Sequence, residues 1–401
     1  MLRICKLKNT VQPYAWGSYT AIPELLGTQS DSLTPQAELW MGAHPKAPSR
    51  VSVDGRLESL KVLIDKHPID ILGQKVAARF QNELPYLFKV LAAAKPLSLQ
   101  AHPSAAQARD GYRREEDLGI SLESPERNYR DANHKPECIC ALTPFWALHG
   151  FRKIPDIIRL FGRLRLERME SLLQNLQKYP KQRALKTFFR SLMTLSPAQK
   201  RRLTKQATNA AREISEEKNV YQWIVTLAKS YPEDIGVLSP LFLNLVLLQP
   251  GQALYLPAAE LHAYIEGVGI ELMANSDNVL RGGLTPKHID VNALLAVLDF
   301  EERTPEVLPL RHGADGESFY ECPAKEFTLS VINVNQQTSY SSAENRSVEI
   351  LLCTTGAGSI SDLDTGHVTA LNKGDAVLVP AVVTVYSIAG NATVYKAAVP
   401  I

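Results

Sequence analysis

Two segments of this 401-residue chain repeat one another, and that repeat constrains the fold more than any other feature. LQPGQALYLPAAELHAYIEG (248–267) and LNKGDAVLVPAVVTVYSIAG (371–390) align without a gap at an offset of 123 residues. Leu248 matches Leu371, Gly251 Gly374, Ala253 Ala376, Pro257 Pro380, Ala258 Ala381 and Gly267 Gly390, with Tyr264 and Tyr386 one place out of register. Each copy reads as a turn glycine, a short apolar strand, a proline-containing turn and a second strand. Small jelly-roll barrels mount their ligand pockets on such units, so the chain is expected to hold two of them. Val385 stands where the first copy has His262. One barrel is therefore expected to carry chemistry and the other to act as scaffold.

The texture around the repeats sets the expected domains. Residues 1 to about 60 alternate short apolar pieces with closely spaced Pro and Gly, which leaves little room for helices and predicts short strands and loops. Helical pieces broken at Pro68 are predicted over 58–82, strand-like text over 84–103, a helix over about 104–118, and strand again across NHKPECICALTPFWALHGF. From about Arg152 to Asp234 the chain turns helical, nearly free of glycine. Residues 151–234 carry 18 Lys and Arg against 8 Asp and Glu, a local charge of +10. Such a basic module could bind anions or nucleic acid, but its interspersed signs read better as a solvated helical insertion. Residues 304–401 read as all-β. The expected architecture is mainly β: a discontinuous catalytic β domain (1–151 and 235–303), a helical insert (152–234), and a C-terminal β domain (304–401) without metal ligands.

Composition narrows the class of protein. With 45% hydrophobic and 21% charged residues and a formal charge of +2, the chain is an ordinary globular protein with no electrostatic call for nucleic acid. Five scattered cysteines (5, 138, 140, 322 and 353) do not make a secreted disulfide framework. The N-terminus lacks the apolar run of a signal peptide, and no apolar stretch nears the roughly 18 residues of a membrane span. The expectation is a cytoplasmic monomer acting on a small molecule.

Chemistry-bearing residues gather in two places. Leu248–Val291 puts His262 on a strand, Glu271 on its continuation and Arg281 in a polar loop. Thr285-Pro286-Lys287 then reads as the N-cap and first turn of a helix over about 286–299. Near residue 100, strand alternation gives Ser98, Gln100 and His102 one face, and the same argument groups Asn133, Lys135 and Glu137. Zinc accepts imidazole and carboxylate ligands and keeps a position open when catalytic. Two His, one Glu and a neutral Gln would cancel only one charge of a dication, leaving it electrophilic. The rival set, Cys138 and Cys140 with His134, has no second Cys pair and reads as buried thiols. His44, His67, His149, His288, His312 and His367 lack partner spacing and are read as structural or surface. Gly356-Ala-Gly358 is not followed by the third glycine of a dinucleotide loop, and neither a Walker loop nor a G-x-S-x-G elbow occurs.

Six words carry a resemblance: Tyr14-Ala-Trp-Gly-Ser18, Glu38-Leu-Trp-Met-Gly42, Leu99-Gln-Ala-His-Pro103, Asn133-His-Lys-Pro-Glu137, Leu261-His262 and Arg281-Gly-Gly-Leu-Thr-Pro-Lys287. Together, in order, they resemble type I mannose-6-phosphate isomerase, a zinc-dependent family of cupin fold. The resemblance runs from near the N-terminus to about residue 300, and the helical insert and terminal β region fit the family's three-part layout. It implies one Zn2+ per chain with Gln100, His102, Glu137 and His262 as ligands, and Arg281 as the essential arginine. The polar pocket groups it implies are Lys89, Ser98, His134, Lys135, Glu271, Asp277 and Lys287.

The implied reaction interconverts mannose 6-phosphate and fructose 6-phosphate through a cis-enediol. Arg281 and the ion suit the developing oxyanion. Lys89 and Ser98, with Lys135 or Lys287, are candidates for the phosphate. The proton-transferring base stays open among His134, Lys135, Glu271 and a water on the ion. Two rivals come from other classes. A sugar-binding cupin without catalysis has no need of zinc with Arg281 and paired cations. An iron oxygenase wants two His and one carboxylate, against which Gln100 stands.

Overall fold

The repeat is structural as well as sequential. In the computed structural model, which describes residues 3–28, 33–53, 55–167, 169–214, 218–313 and 316–401, Gly251 and Gly374 share a left-handed backbone (φ +84° and +86°), as do Gly267 and Gly390 (+132° and +134°). The first pair precedes the short strands Ala253–Leu256 and Ala376–Val379. The second pair lies inside the long strands His262–Ala274 and Tyr386–Ala398. A Cβ at Gly390 would stand 2.5 Å from Gly358 Cα, and one at Gly267 2.7 Å from the Phe145 ring. Close cross-strand approach, not only φ, demands glycine at both.

Each repeat organises one antiparallel sheet. In the ten-stranded sheet, His262–Ala274 is central, paired with Tyr86–Ala93 on one side and with Glu137–Ala141 and Phe145–Phe151 on the other. In the eleven-stranded sheet the centre is Glu349–Asp362 against Tyr386–Ala398. The first sixty residues serve both sheets. Cys5–Lys8 pairs with Ala376–Val379 and is extended by the hairpin of Arg50–Val53 and Arg56–Ser59, whereas Thr10–Gln12 and Glu38–Gly42 join the first sheet.

Tyr86–Ala93 shows how a sequence run becomes a two-faced strand. All eight of its residues are buried, as a strand covered on both faces requires. Phe88, Val90 and Ala92 enter the core shared by the two sheets, with Ile270, Leu272, Leu329, Ile350 and Leu378. Leu91 and Ala93 face a separate cluster with Ile139, Phe145 and Tyr264. Lys89, on the second face, is the only charge in the run. Across the shared core, Tyr86 OH donates to Ala397 O at 3.0 Å.

The predicted helical insert forms helices Ile154–Leu164, Glu170–Lys178, Gln182–Met193, Pro197–Glu213 and Lys218–Ser230. Ser196 and Gln199 build a capping box around Pro197, the first helical residue. The apolar faces turn inward and bring Phe189 against Phe151, Phe242 and Phe300 of the first β unit. Arg183, Arg190, Arg201, Arg202 and Lys205 are exposed, as expected of an amphipathic bundle.

Several local expectations are corrected. A helix, Ala21–Leu26, forms within the first sixty residues, with Pro23 in its first turn and Gly27 closing it. The helix expected to start at Thr285 runs instead from Val291 to Val297. Asp290 caps it by accepting from Ala293 N at 2.9 Å, while Thr285 Oγ1 closes a local turn on Lys287 N. The strand through NHKPE begins only at Glu137, because Pro136 has no N–H for a ladder.

The second sheet also keeps a carboxylate where the first does. Glu349 lies opposite Val379 as Glu137 lies opposite Leu256, again at the 123-residue offset between the partners. Around Glu349 stand Arg346 Nη1 at 3.4 Å and Lys396 Nζ at 3.5 Å.

Phe189→Ala is expected to lower stability by about 3–5 kcal/mol, the range for a buried aromatic truncation. Chemical denaturation checks this; a loss below 1 kcal/mol, on the order of an Ile→Val change, would mean that the insert is not anchored through this ring.

Candidate metal centre

Three donor groups converge inside the first β unit. Pairing of His262–Ala274 with the short strand Leu99–Ala101 sets His262 opposite Gln100, and His102 follows one residue beyond that strand. Glu137 opens its own strand opposite Met273 and Leu256. The result places His102 Nε2 3.3 Å from Glu137 Oε1 and His262 Nε2 3.4 Å from Glu137 Oε2. All three side chains are at most 1% exposed.

Backbone carbonyls decide which atoms face the centre. His102 Nδ1 lies 2.7 Å from Asn278 O, and His262 Nδ1 3.0 Å from Glu260 O. A carbonyl only accepts, so each Nδ1 carries the proton and donates. Both Nε2 atoms therefore present lone pairs, and both are buried without a hydrogen-bond partner. Two lone pairs facing a carboxylate repel in a dry interior. One ligand atom from each residue, all within 4.8 Å of one another, can hold a metal ion. The donor set suits a dication, with outer carbonyls fixing both tautomers. Burial would raise the Glu137 carboxyl, but the cationic Lys135 beside it helps to hold it well below the usual carboxylate range.

Charged residues surround this cluster in pairs. Lys135 Nζ sits 3.3 Å from Glu137 Oε1. Lys89, buried, contacts Glu271 Oε2 at 2.8 Å and Glu38 Oε1 at 3.5 Å, and Trp40 Nε1 donates to the other Glu38 oxygen at 2.7 Å. Burial alone would lower the Lys89 ammonium, yet the two carboxylates hold it above its ordinary value. Burial raises Glu271, with Lys89 opposing. Asp277 is clasped by Lys46 Nζ at 2.9 Å and His44 Nε2 at 3.7 Å. His44, edge-on to Trp40, is pushed down to about 4 mainly by burial.

The sequence-derived residues thus separate into groups. Gln100 is opposite both His262 and Arg281 in register, so the three side chains project from one sheet face. Ser98 comes just before that strand and is half-buried. Lys287 is exposed beyond Arg281. Asn133 leaves the expected face and donates to Asn275 O at 3.2 Å. His134 points the other way from Lys135, its Nε2 2.8 Å from Glu326 Oε1 of the C-terminal segment.

Sequence reasoning missed four contributors: Glu38, Trp40, His44 and Asn278. Glu38 and Trp40 alternate within the quoted word ELWMG, and His44 follows two residues after it; that adjacency was the available signal. A cavity of about 360 Å³ is lined by His44, Arg130, Asp131, Asn133, Ser276 and Asp277 among others. Asn278, fully buried, donates to Asp131 O and Asn133 O at 2.8 and 2.9 Å and accepts from Arg130 N at 2.6 Å. It thereby ties loop 130–133 to the carbonyl that orients His102. No periodicity announces such a residue.

An antiparallel jelly-roll sheet with a buried two-imidazole, one-carboxylate cluster defines a metal-centred protein of the cupin class. Comparison with known proteins narrows this. The catalytic-domain model of type I phosphomannose isomerase matches residues 4–154, and that family's helical insertion domain matches 161–243. The mannose-6-phosphate isomerase of Salmonella typhimurium is 42% identical over 88% of either chain, and the human one 33% identical over 94% of either chain. A crystal structure of zinc-bound mannose 6-phosphate isomerase superposes with a TM-score of 0.92 at 37% identity, covering both chains fully. This chain belongs to the type I phosphomannose isomerase family.

Asn278→Ala keeps the carbonyl that meets His102 but removes the side chain that fixes its position, and is expected to weaken divalent-metal affinity by about tenfold, the lower end of the effect of disturbing an outer partner of a metal-bound histidine. Competition against a chelator, on protein that keeps its melting transition, measures it. Unchanged affinity would disconnect Asn278 from His102.

Proposed function

We propose that this chain is a zinc-dependent mannose-6-phosphate isomerase, interconverting D-mannose 6-phosphate and D-fructose 6-phosphate. The observation that carries the reading is the pair of partnerless Nε2 atoms aimed at Glu137, in a chain of this family. Gln100, His102, Glu137 and His262 would hold one zinc ion. Bound there, it supplies a Lewis acid for the sugar carbonyl, with only one of its charges cancelled by ligands.

The reaction moves a proton between C2 and C1 of the open-chain sugar by way of a cis-enediolate. Lys135, in contact with Glu137, and Glu271, buried against Lys89, are the proposed proton carriers. Burial raises the Glu271 carboxyl, which makes its carboxylate a better base. His134, turned to Glu326, is left outside this step. Arg281 is the proposed stabiliser of the enediolate oxygen, a reading supported by the sheet face that it shares with Gln100 and His262. Lys89 is read as the residue that holds Glu271, since two carboxylates already contact it. Asp277, held by Lys46 and His44, is a candidate acceptor for sugar hydroxyls.

The catalytic unit is taken as 1–151 with 235–303, the insert as 152–234 and the terminal β unit as 304–401. No helix among the described residues is long and apolar enough to cross a membrane. A cytoplasmic monomer remains the proposed setting.

His262→Ala is expected to lose bound zinc and isomerase activity together, read by metal analysis beside fructose 6-phosphate formation coupled to a dehydrogenase. Full turnover by metal-free protein would overturn the metal role. Arg281→Ala should keep zinc and fold while kcat falls on the order of 10²–10³-fold, as when an oxyanion donor is removed; an unaltered kcat would make Arg281 peripheral.

A further inference from the structure

All five cysteines are free thiols, and two of them meet where the two β units join. Cys138 and Cys140 alternate along Glu137–Ala141 and face the core shared by the sheets, whereas Ile139 and Ala141 face the other way. Residues 320–326 of the C-terminal unit lie over that face and are fixed at both ends. At one end Cys140 Sγ donates to the Tyr320 hydroxyl at 3.2 Å, which donates onward to Gly251 O at 2.7 Å. At the other, Glu326 Oε1 is 2.8 Å from His134 Nε2. Between the clasps, Ala324 is buried in the shared core and Cys322 packs against it. The two segments therefore run side by side in opposite directions, 320 beside 140 and 326 beside 134. Cys322 comes two residues after the first clasp and Cys138 two residues before it, which brings them to the same level.

The two thiols differ in access and in chemistry. Cys138 is wholly buried, whereas Cys322 is half-buried between the exposed Glu321 and Pro323. The Cys138 thiol donates to the Cys322 sulfur; that contact holds Cys322 below its ordinary value and, with burial, pushes Cys138 well up. Cys140 is occupied by the Tyr320 and Tyr395 hydroxyls, and burial pushes it up to about 11. The thiolate is the form that peroxides oxidise, and only where they can reach it. Cys322 meets both conditions, with a second thiol against it.

We propose that Cys138 and Cys322 form a reversible oxidation site, closed to a disulfide by hydrogen peroxide, that ties the catalytic and C-terminal β units together covalently. The Cys322 thiolate attacks one oxygen of the peroxide, the O–O bond breaks, and hydroxide leaves to take up the proton that Cys322 had released, forming water. Cys322 is then a sulfenic acid. The Cys138 sulfur attacks the Cys322 sulfur, the S–O bond breaks, and the departing hydroxide leaves as a second water with the Cys138 proton. Two thiols are oxidised and one peroxide is reduced to two waters. Bonding draws the sulfurs to about 2 Å apart. Cys322 lies outside the paired strands, so its loop takes up that movement rather than the strand that carries Glu137.

The test uses the full, folded, zinc-loaded chain treated with a single equivalent of hydrogen peroxide, then alkylated and digested without reduction for mass spectrometry. A peptide pair joined between 138 and 322 is expected, with fragment spectra placing the bond at Cys138 and not at Cys140. Dithiothreitol should remove it, and Cys322→Ser, at a half-buried position, should abolish it. The melting transition should rise by about 5 °C on oxidation, the scale of a disulfide worth a few kcal/mol in a large domain, fall back on reduction, and stay unmoved by peroxide in Cys322→Ser. Cys322 halted as a sulfinic acid, a bond made through another cysteine, or a 138–322 bond that forms only in urea would each overturn the proposal. An oxidised chain that melts no higher than the reduced one would overturn the covalent tie between the units.

Discussion

Two imidazole lone pairs held face to face with a carboxylate inside a dry protein repel one another, and much of the first β unit acts to impose that arrangement. Strand pairing alone brings the residues together, since His262, Gln100 and Glu137 lie on strands that meet only through the central strand. Orientation is a second requirement. It is met by two main-chain carbonyls, of Asn278 and Glu260, that take the Nδ1 protons and leave Nε2 bare. The loops bearing those carbonyls are themselves cross-linked, the first through Asn278 to loop 130–133, the second through Glu260 to His149 and Arg303. A cation relieves the repulsion that the fold has built up.

Much of this could be read from the chain, and the limits have physical causes. The β repeat was legible because glycines with unusual φ and strand alternation both leave local marks. The helical insert was legible from period and the absence of glycine. Ser98, Gln100 and His102 could be grouped because side chains alternate on strands, whereas His262 joined them only through the family resemblance. The same rule failed at Asn133, since it presumes a strand and Pro136 delays the ladder to Glu137. The helix expected at Thr285 failed for a related reason: two good caps lie five residues apart, and Asp290 is the one whose side chain reaches Ala293 N. Glu260, Asn278 and His44 act through tertiary contacts, and no local pattern encodes such a contact.

The helical insert and the N-terminal strands show how the chain solves a problem of coverage. A barrel holding a polar site must still bury its outer faces, and each flank uses a different device. Phe189 brings the insert onto one flank through three aromatic contacts. On the other flank the two sheets share a core, with Tyr86 hydrogen-bonded across it and Tyr320 OH donating to Gly251 O at 2.7 Å in the repeat's own turn. His134 and Glu326 add an ion pair over the same junction. The residue beside His134 touches Glu137, so this junction and the metal ligands are only a few bonds apart.

The two β units answer the same electrostatic question with different means. Glu137 faces Lys135 and a pair of imidazoles that call for an exchangeable ion, whereas its counterpart Glu349 faces Arg346 and Lys396, cations that belong to the chain. A chelator can therefore strip compensation from one unit and leave the other untouched.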